Sequence, residues 1–487
     1  MQYSLHHLAK IALGITFLFS PDAHCFASDL RETGPQASAE QIIAAHGSAE
    51  RTVLRLTFSE SVDGAVAHPV LADIAETYVF VKRPDHSVLT DYALKRVITV
   101  DDSKKTFVNL SLYAEAEQRY AEAYNRRFLR QMLAKIGVNT APPDMRNPFW
   151  AQQELGVADP ADGAVDIASA PVKGGGTKFT SAGENVASFT PSDTSLSSAE
   201  RAGFSRFLYG NVSLHPQIIE AVLASNAVPK ELSYVTMEGG KRKSVRWTLS
   251  SVSRLTAIYP LEAGFANRLP DEDPSDPEGR AVASVLPVML AAVSGKAPGM
   301  NSLADYNSRI DNALKQGNQF QVFLTYLEMS LQYGKGAGVC KPGQTEECHP
   351  SSVLADAVKK DSRAATLVQA LAVEKSDPAK AITMEQGIDR AGVSNGYVID
   401  DFLGNTMVDA NRSQDAIPLL SNAVRGNPYL GGYYKDFGDL FRKSFRADLA
   451  WLFYDLGREL PGGSGAPVIS IINGYEGFLE KKVPQFF

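Results

Sequence analysis

The side chains able to do acid–base, metal or nucleophilic chemistry are few and scattered. Past the first 27 residues the histidines are His46, His68, His86, His215 and His349. An imidazole moves protons or holds a metal only with partners at fixed spacing, and none of these sits in a pattern such as His-Glu-x-x-His. His215 and Glu220, in SLHPQIIEAVLASN, are the best-placed pair and read as polar residues on the surface of a short helix. KGGGTK (173–178) lacks the spacing and the following helix of a phosphate loop, and GGSGAP (462–467) is out of register for a serine nucleophile elbow. DEDPSDPEGR (271–280) offers Asp271, Asp273 and Asp276, but a calcium loop would need Gly and Glu where Asp276 and Val282 stand, so it reads as a solvated turn. GGKRKSVR (239–246) reads as a charged hairpin tip. These residues predict no catalytic constellation, no metal and no cofactor; the chain is expected not to be an enzyme.

The N-terminus suggests an address. MQYSLHHLAK is followed by the apolar run IALGITFLFS, shorter than the roughly 20 helical residues that span a bilayer. Cys25-Phe26-Ala27 places small residues where a signal peptidase cleaves, so residues 1–27 are expected to be a signal peptide cut after Ala27, leaving a periplasmic or secreted chain. Only Cys340 and Cys348 then remain, in VCKPGQTEECHP. Two cysteines in an exported chain, with Pro342 and Gly343 between them, favour a local disulfide; with His349 they supply three of the four ligands of a closed zinc site. A net charge of −7 argues against a nucleic-acid partner, which needs clustered Lys and Arg, and 44% hydrophobic residues argue against wholesale disorder.

The elements that would position these groups change character along the chain. Residues 28–138 read as an α+β region. In TVLRLTF, Val53, Arg55 and Thr57 alternate with Leu54, Leu56 and Phe58, the period of a strand with one buried face. Antiparallel strands continue to about residue 112. A helix then carries Tyr120, Tyr124, Phe128, Met132 and Ile136 on one i, i+4 stripe, with Gly137 as its stop. Residues 139–197, rich in Gly, Pro, Ser and Ala without period, read as a linker or surface insertion. Residues 198–270 hold two short helices and a second strand-rich patch with a Gly239-Gly240 turn. Whether 51–112 and 231–260 share a sheet is open. Residues 277–487 read as helical hairpins. The expected class is α+β, an antiparallel β-rich N-terminal region with helices followed by an α-helical C-terminal domain.

In that last region a spacing of 34 residues recurs. From Tyr397, Leu403 and Gly404 fall at positions 7 and 8, Met407 at 11, Ala416 at 20, Leu420 at 24, Ala423 at 27 and Pro428 at 32. From Gly431, Tyr434 falls at 4, Phe437 and Gly438 at 7 and 8, Phe441 at 11, Ala450 at 20, Tyr454 at 24 and Gly457 at 27. This resembles the tetratricopeptide repeat over 397–461, with degenerate hairpins before it. Asp400 at position 4 of the first frame and Pro461 one place early in the second depart from the pattern. The resemblance implies an α–α superhelix whose first helices line a concave face. Here that face would carry Asp401, Asn405, Val408 and Asp409, then Lys435, Asp439, Arg442 and Lys443, a mixed-charge set suited to a polar or charged peptide.

The expected role is an exported, non-catalytic scaffold or adaptor that binds another envelope protein through this face. Two other roles stand beside it. Residues 51–112, completed by 231–260, resemble the half-barrel of periplasmic lipoprotein carriers, which implies a carrier of lipid or another apolar ligand. An envelope hydrolase with its site in the α+β region is the third.

Overall fold

The computed structural model describes residues 34–487 except 48–49, 138–146, 159–160, 162–164, 174, 239, 270–276, 335 and 341–347. The expected signal peptide and the acidic run 271–276 lie outside the described residues. The chain forms two bodies, one of Pro35–Pro270 with Tyr475–Phe487 and one built on Asp271–Gly474.

The first body opens with α1 (Ala39–His46), started by a capping box between Ser38 and Gln41. β1 (Arg51–Val62), β2 (His68–Ile74), β3 (Tyr78–Lys82), β4 (Ser87–Asp91), β5 (Arg96–Asp101) and β6 (Thr106–Ser111) follow as an antiparallel meander. After α2 (Leu112–Lys135) and α3 (Pro148–Leu155) come β7 (Ile167–Val172), β8 (Gly176–Ser181) and β9 (Glu184–Ser195). Then α4 (Ser198–Asn211), α5 (Pro216–Ala224), β10 (Ala227–Glu238), β11 (Lys241–Ala257) and β12 (Ala266–Arg268) complete it. The described strands make one sheet in the order β12-β6-β5-β4-β3-β2-β1-β11-β10-β9-β8-β7, antiparallel throughout save β12 beside β6. β1 pairs along its length with β11, from Arg51 opposite Ala257 to Val62 opposite Val245, so both strand-rich patches share this sheet.

Period 2 decides which face is buried where. Leu54, Leu56 and Phe58 face a core filled by Phe149, Phe204, Phe207, Ile218 and Trp247 from α3, α4, α5 and β11. Val53 points the other way, into a smaller core with Ile42, Tyr78, Leu89, Ile98 and Tyr259. Val483 and Phe486 join the larger core, so the chain's last residues belong to this body and the helical region does not run unbroken to 487.

The described part of residues 139–197 is not a linker. It contributes α3 and three strands to the sheet. Small and hydroxylated residues hid this: β7 (IASAPV) is an edge strand with exposed side chains, where Pro171 needs no inward partner and no apolar alternation is required.

The second body is helical: α6 (Pro277–Val293), α7 (Leu303–Lys315), α8 (Gln319–Tyr333), α9 (Ser351–Lys360), α10 (Ser362–Val373), α11 (Pro378–Gln386), α12 (Tyr397–Asp409), α13 (Ser413–Gly426), α14 (Gly431–Lys443), α15 (Ala447–Arg458) and α16 (Ala466–Lys482), whose last turns fall in the first body. α7 packs on α8, α10 on α11, α12 on α13 and α14 on α15 as hairpins. Cys340 and Cys348 are joined by a disulfide across Cα atoms 5.0 Å apart.

Candidate functional site

The hairpins α12–α13 and α14–α15 repeat each other in backbone and packing. Both helices of the second begin 34 residues after their counterparts, Gly431 after Tyr397 and Ala447 after Ser413. The turns match too. Asn411 (φ 59°) and Phe445 (φ 60°) adopt the left-handed conformation at equivalent places. Behind them Arg412 N–H bonds Met407 O at 2.8 Å and Arg446 N–H bonds Phe441 O at 2.9 Å. Asn tolerates that conformation; Phe does so only under strain. A Cβ on Gly404 would lie 2.8 Å from Leu420 Cδ2, and one on Gly438 would lie 2.1 Å from Tyr454 Cε1. Glycine lets each first helix approach its second, while Ala416 and Ala450, both fully buried, keep the return side thin.

Of the eight residues expected on the concave face, six are at least partly accessible. Asp401 and Val408 are buried. Asp401 sits beside Asp436 and Lys435; burial first, then the Asp436 charge, push its carboxyl well above the usual carboxylate range. Helical periodicity along α12 could not show that α14 brings Lys435 and Asp436 against Asp401. Four of the remaining six pair with one another. Lys443 Nζ donates to Asp409 Oδ1 at 2.5 Å, joining equivalent positions of the two hairpins. Lys435 Nζ donates to Asp439 Oδ2 at 2.6 Å, and Tyr454 Oη to Asp439 Oδ1 at 2.6 Å. Arg442 and Asn405 are partly exposed. The arrangement is a ladder of paired charges that can offer both signs to an incoming segment. Two further carboxyls flank it, Glu374 at the end of α10 and Glu385 in α11. Burial raises both, Glu385 to about 7.

The pattern gave no hint of a buried polar hub in this body. Glu328, on the apolar helix α8, is fully buried. It accepts from Arg309 (2.8 Å), Tyr397 Oη (2.7 Å), Asn427 Nδ2 (2.8 Å) and Asn395 Nδ2 (2.9 Å). Burial opposes its charge, yet the Arg309 pair and these donors hold its pKa below the ordinary value. These partners come from α7, α12 and the segments preceding α12 and following α13, so the carboxylate pins the first hairpin to the helices before it. A single Glu in VFLTYLEM was the only signal available.

In the first body, His46 lies between Asp91 and Thr77. Its Nδ1 donates to Asp91 Oδ2 at 2.8 Å and its Nε2 is 3.4 Å from Thr77 Oγ1. Asp91 also accepts from Tyr259 Oη (2.7 Å) and from the Ala93 and Leu94 N–H groups (2.9 and 2.8 Å). Carboxylate, imidazole and hydroxyl in line could relay a proton, but the His46 side chain is 1% exposed, packed against Tyr259 at 4.1 Å between ring centroids. This cluster fastens α1 to the sheet. His215 is likewise not a surface residue. It is fully buried and caps α5: its Nδ1 accepts from Gln217 N–H at 3.2 Å and its Nε2 faces Gln152 Oε1 at 2.9 Å. Burial lowers its pKa to about 4, and Glu220 pairs with Tyr209 instead. The basic hairpin tip is met within the body: Arg242 pairs with Glu184, and Arg246 with Glu231 at 3.4 Å. On one face of the sheet Phe58, Phe207 and Trp247 pack together, their rings 5.2–6.2 Å apart.

Among the described residues, no group of three or more His, Cys, Asp or Glu is placed to hold a metal ion, and His349 beside the disulfide pairs with Asp311 at 2.9 Å. No described helix is long and apolar enough to cross a membrane. No protein-family model matches the chain, and the curated proteins searched contain no match.

Proposed function

We propose that the chain is an exported, non-catalytic scaffold of the tetratricopeptide kind, and that α12 and α14 of its helical body hold a polar, charged segment of another envelope protein. The observation that carries this reading is the 34-residue recurrence, which repeats helix starts, turn conformation and the glycine-to-large-side-chain contact, and sets Asp409 and Lys443 beside each other at equivalent positions. A segment bearing both charge signs could exchange ion pairs with Asp409, Lys443, Lys435 and Asp439 while Asn405 bonds its backbone. Export rests on the small residues Cys25 and Ala27 at −3 and −1 of the expected cleavage and on the disulfide, which suits an oxidising compartment.

The test is affinity capture from envelope extract with the full chain beside a variant carrying Arg442→Glu and Lys443→Glu, each bound protein identified by mass spectrometry. A protein retained by the first and lost by the second is the expected result. Identical retention by both, with the variant's circular dichroism unchanged, would remove α12 and α14 as the binding face.

A further inference from the structure

The stripe that the sequence places on α2 does not face a core. Tyr120 is half-buried, but Tyr124 is 51% exposed, Phe128 53%, Leu129 43%, Met132 41% and Ile136 65%. The opposite side of the same helix meets its own body. Ala123 is buried there, and Arg126 is held by Glu122 (2.7 Å) and by Glu154 of α3 (2.7 Å). The helix thus turns its apolar side outward over its last three turns.

Charge on this half-helix has one sign. From Ala123 to Gly137 there are four cations, Arg126, Arg127, Arg130 and Lys135, and no carboxylate. Arg127 lies over the Tyr124 ring at 5.0 Å, and Lys135 is exposed at the edge of the apolar stripe. One more exposed ring of the same body stands near Tyr120, on a segment that also carries Glu476 and Glu480. Phe478, 39% exposed, meets Tyr120 edge-on at 5.4 Å, with Lys482 Nζ 5.8 Å from its ring. Over Ala123 to Gly137, aromatic and aliphatic side chains flanked by long cationic ones, with no acid between, form the chemistry of a helix lying in the headgroup zone of a bilayer. There the rings enter the acyl boundary and Lys and Arg stems reach back to phosphate.

We propose that the outer face of α2, from Tyr124 to Ile136, docks the first body onto an anionic lipid surface. A second copy of the chain fits this face poorly, because it would bring the cations of both helices together with no carboxylate on either half-helix to offset them. The helix lies on the bilayer and does not cross it, in keeping with its charges.

Flotation of the full chain with vesicles of phosphatidylcholine containing about a third phosphatidylglycerol, against phosphatidylcholine alone, tests this. Two or three cations reaching a negative surface give roughly tenfold or greater preference for the anionic vesicles, reduced by salt. Phe128→Glu with Met132→Glu should abolish binding, and Arg127→Gln with Lys135→Gln should remove the preference between the two vesicles. Hydrogen exchange on the unmodified chain gives a reading that needs no variant: anionic vesicles should slow exchange over 123–137. Failure of the full chain to float, equal binding to both vesicles, undiminished binding by the Phe128/Met132 variant, or unchanged exchange over that helix would each overturn the proposal.

Discussion

Replacing Gly438 by alanine probes the packing that defines the repeated hairpin. The new methyl group would lie 2.1 Å from Tyr454 Cε1 and 2.4 Å from Cδ1, so the ring must move. It cannot move freely: Trp451 meets it edge-on at 5.5 Å, and its hydroxyl is bonded to Asp439 at 2.6 Å. Overpacking of a rigid core costs about 1–3 kcal/mol, and the upper end applies where the obstacle is a held ring. Alanine recovers about 1 kcal/mol of helix propensity. The net expectation is a loss of about 2 kcal/mol. Gly474→Ala in α16, where a Cβ meets nothing within 4 Å, should instead gain about 0.5–1 kcal/mol. The assay is hydrogen exchange by mass spectrometry on peptides from 431–458, which reads local opening free energy without assuming that both bodies unfold together. A double-mutant cycle with Tyr454→Leu, which installs the pairing that Gly404 and Leu420 use, should show a favourable coupling near 1 kcal/mol or more. Protection in Gly438→Ala equal to or above that of the unmodified chain would refute the close-approach argument.

Other outcomes follow from single residues. Phe445→Asn should raise stability of the helical body by about 1 kcal/mol, because Phe445 is half-exposed with φ 60° and its counterpart 34 residues earlier is already Asn411; exchange rates across 441–450 give the reading. Glu385 binds its proton more tightly folded, at about 7, than at its ordinary 4.5, so its contribution is full below 4.5 and lost as pH rises through about 7. Glu385→Gln should therefore gain on the unmodified chain with rising pH, by up to roughly 3 kcal/mol at pH 8.5, and match it near pH 4.5, as urea denaturation followed by exchange in α11 would record. His215 runs the other way. Its pKa falls from 6.5 to about 4 on folding, so the first body loses stability as pH drops from 6.5 toward 4, by roughly 3 kcal/mol in all, and His215→Asn should show a flatter pH dependence in that window.

The sequence was most legible where one element's own period decides its environment. Alternation in TVLRLTF located β1 and its two faces, and the small residue eight places into each frame located Gly404 and Gly438. It was least legible where a partner decides. β7 shows no alternation because an edge strand of small residues needs none. Asp401 reads as a groove residue along α12, yet it is buried, with Asp436 and Lys435 of α14 beside it. The apolar stripe of α2 has the spacing of a buried face, and nothing in spacing records that the body lies on its other side. Buried polar hubs are hidden for the same reason: Glu328 collects partners between 19 and 99 residues away, and Asp91 meets Tyr259 across 168.

The scaffold reading is tested most directly by where a partner touches the molecule. A photo-crosslinking amino acid placed at Asn405 or at Arg442, and for comparison at the exposed Asn422 of α13, should be activated in intact cells producing the chain. The account predicts the same protein covalently attached from Asn405 and Arg442 and none from Asn422. No adduct at the first two positions, or equal adducts at all three, would contradict it.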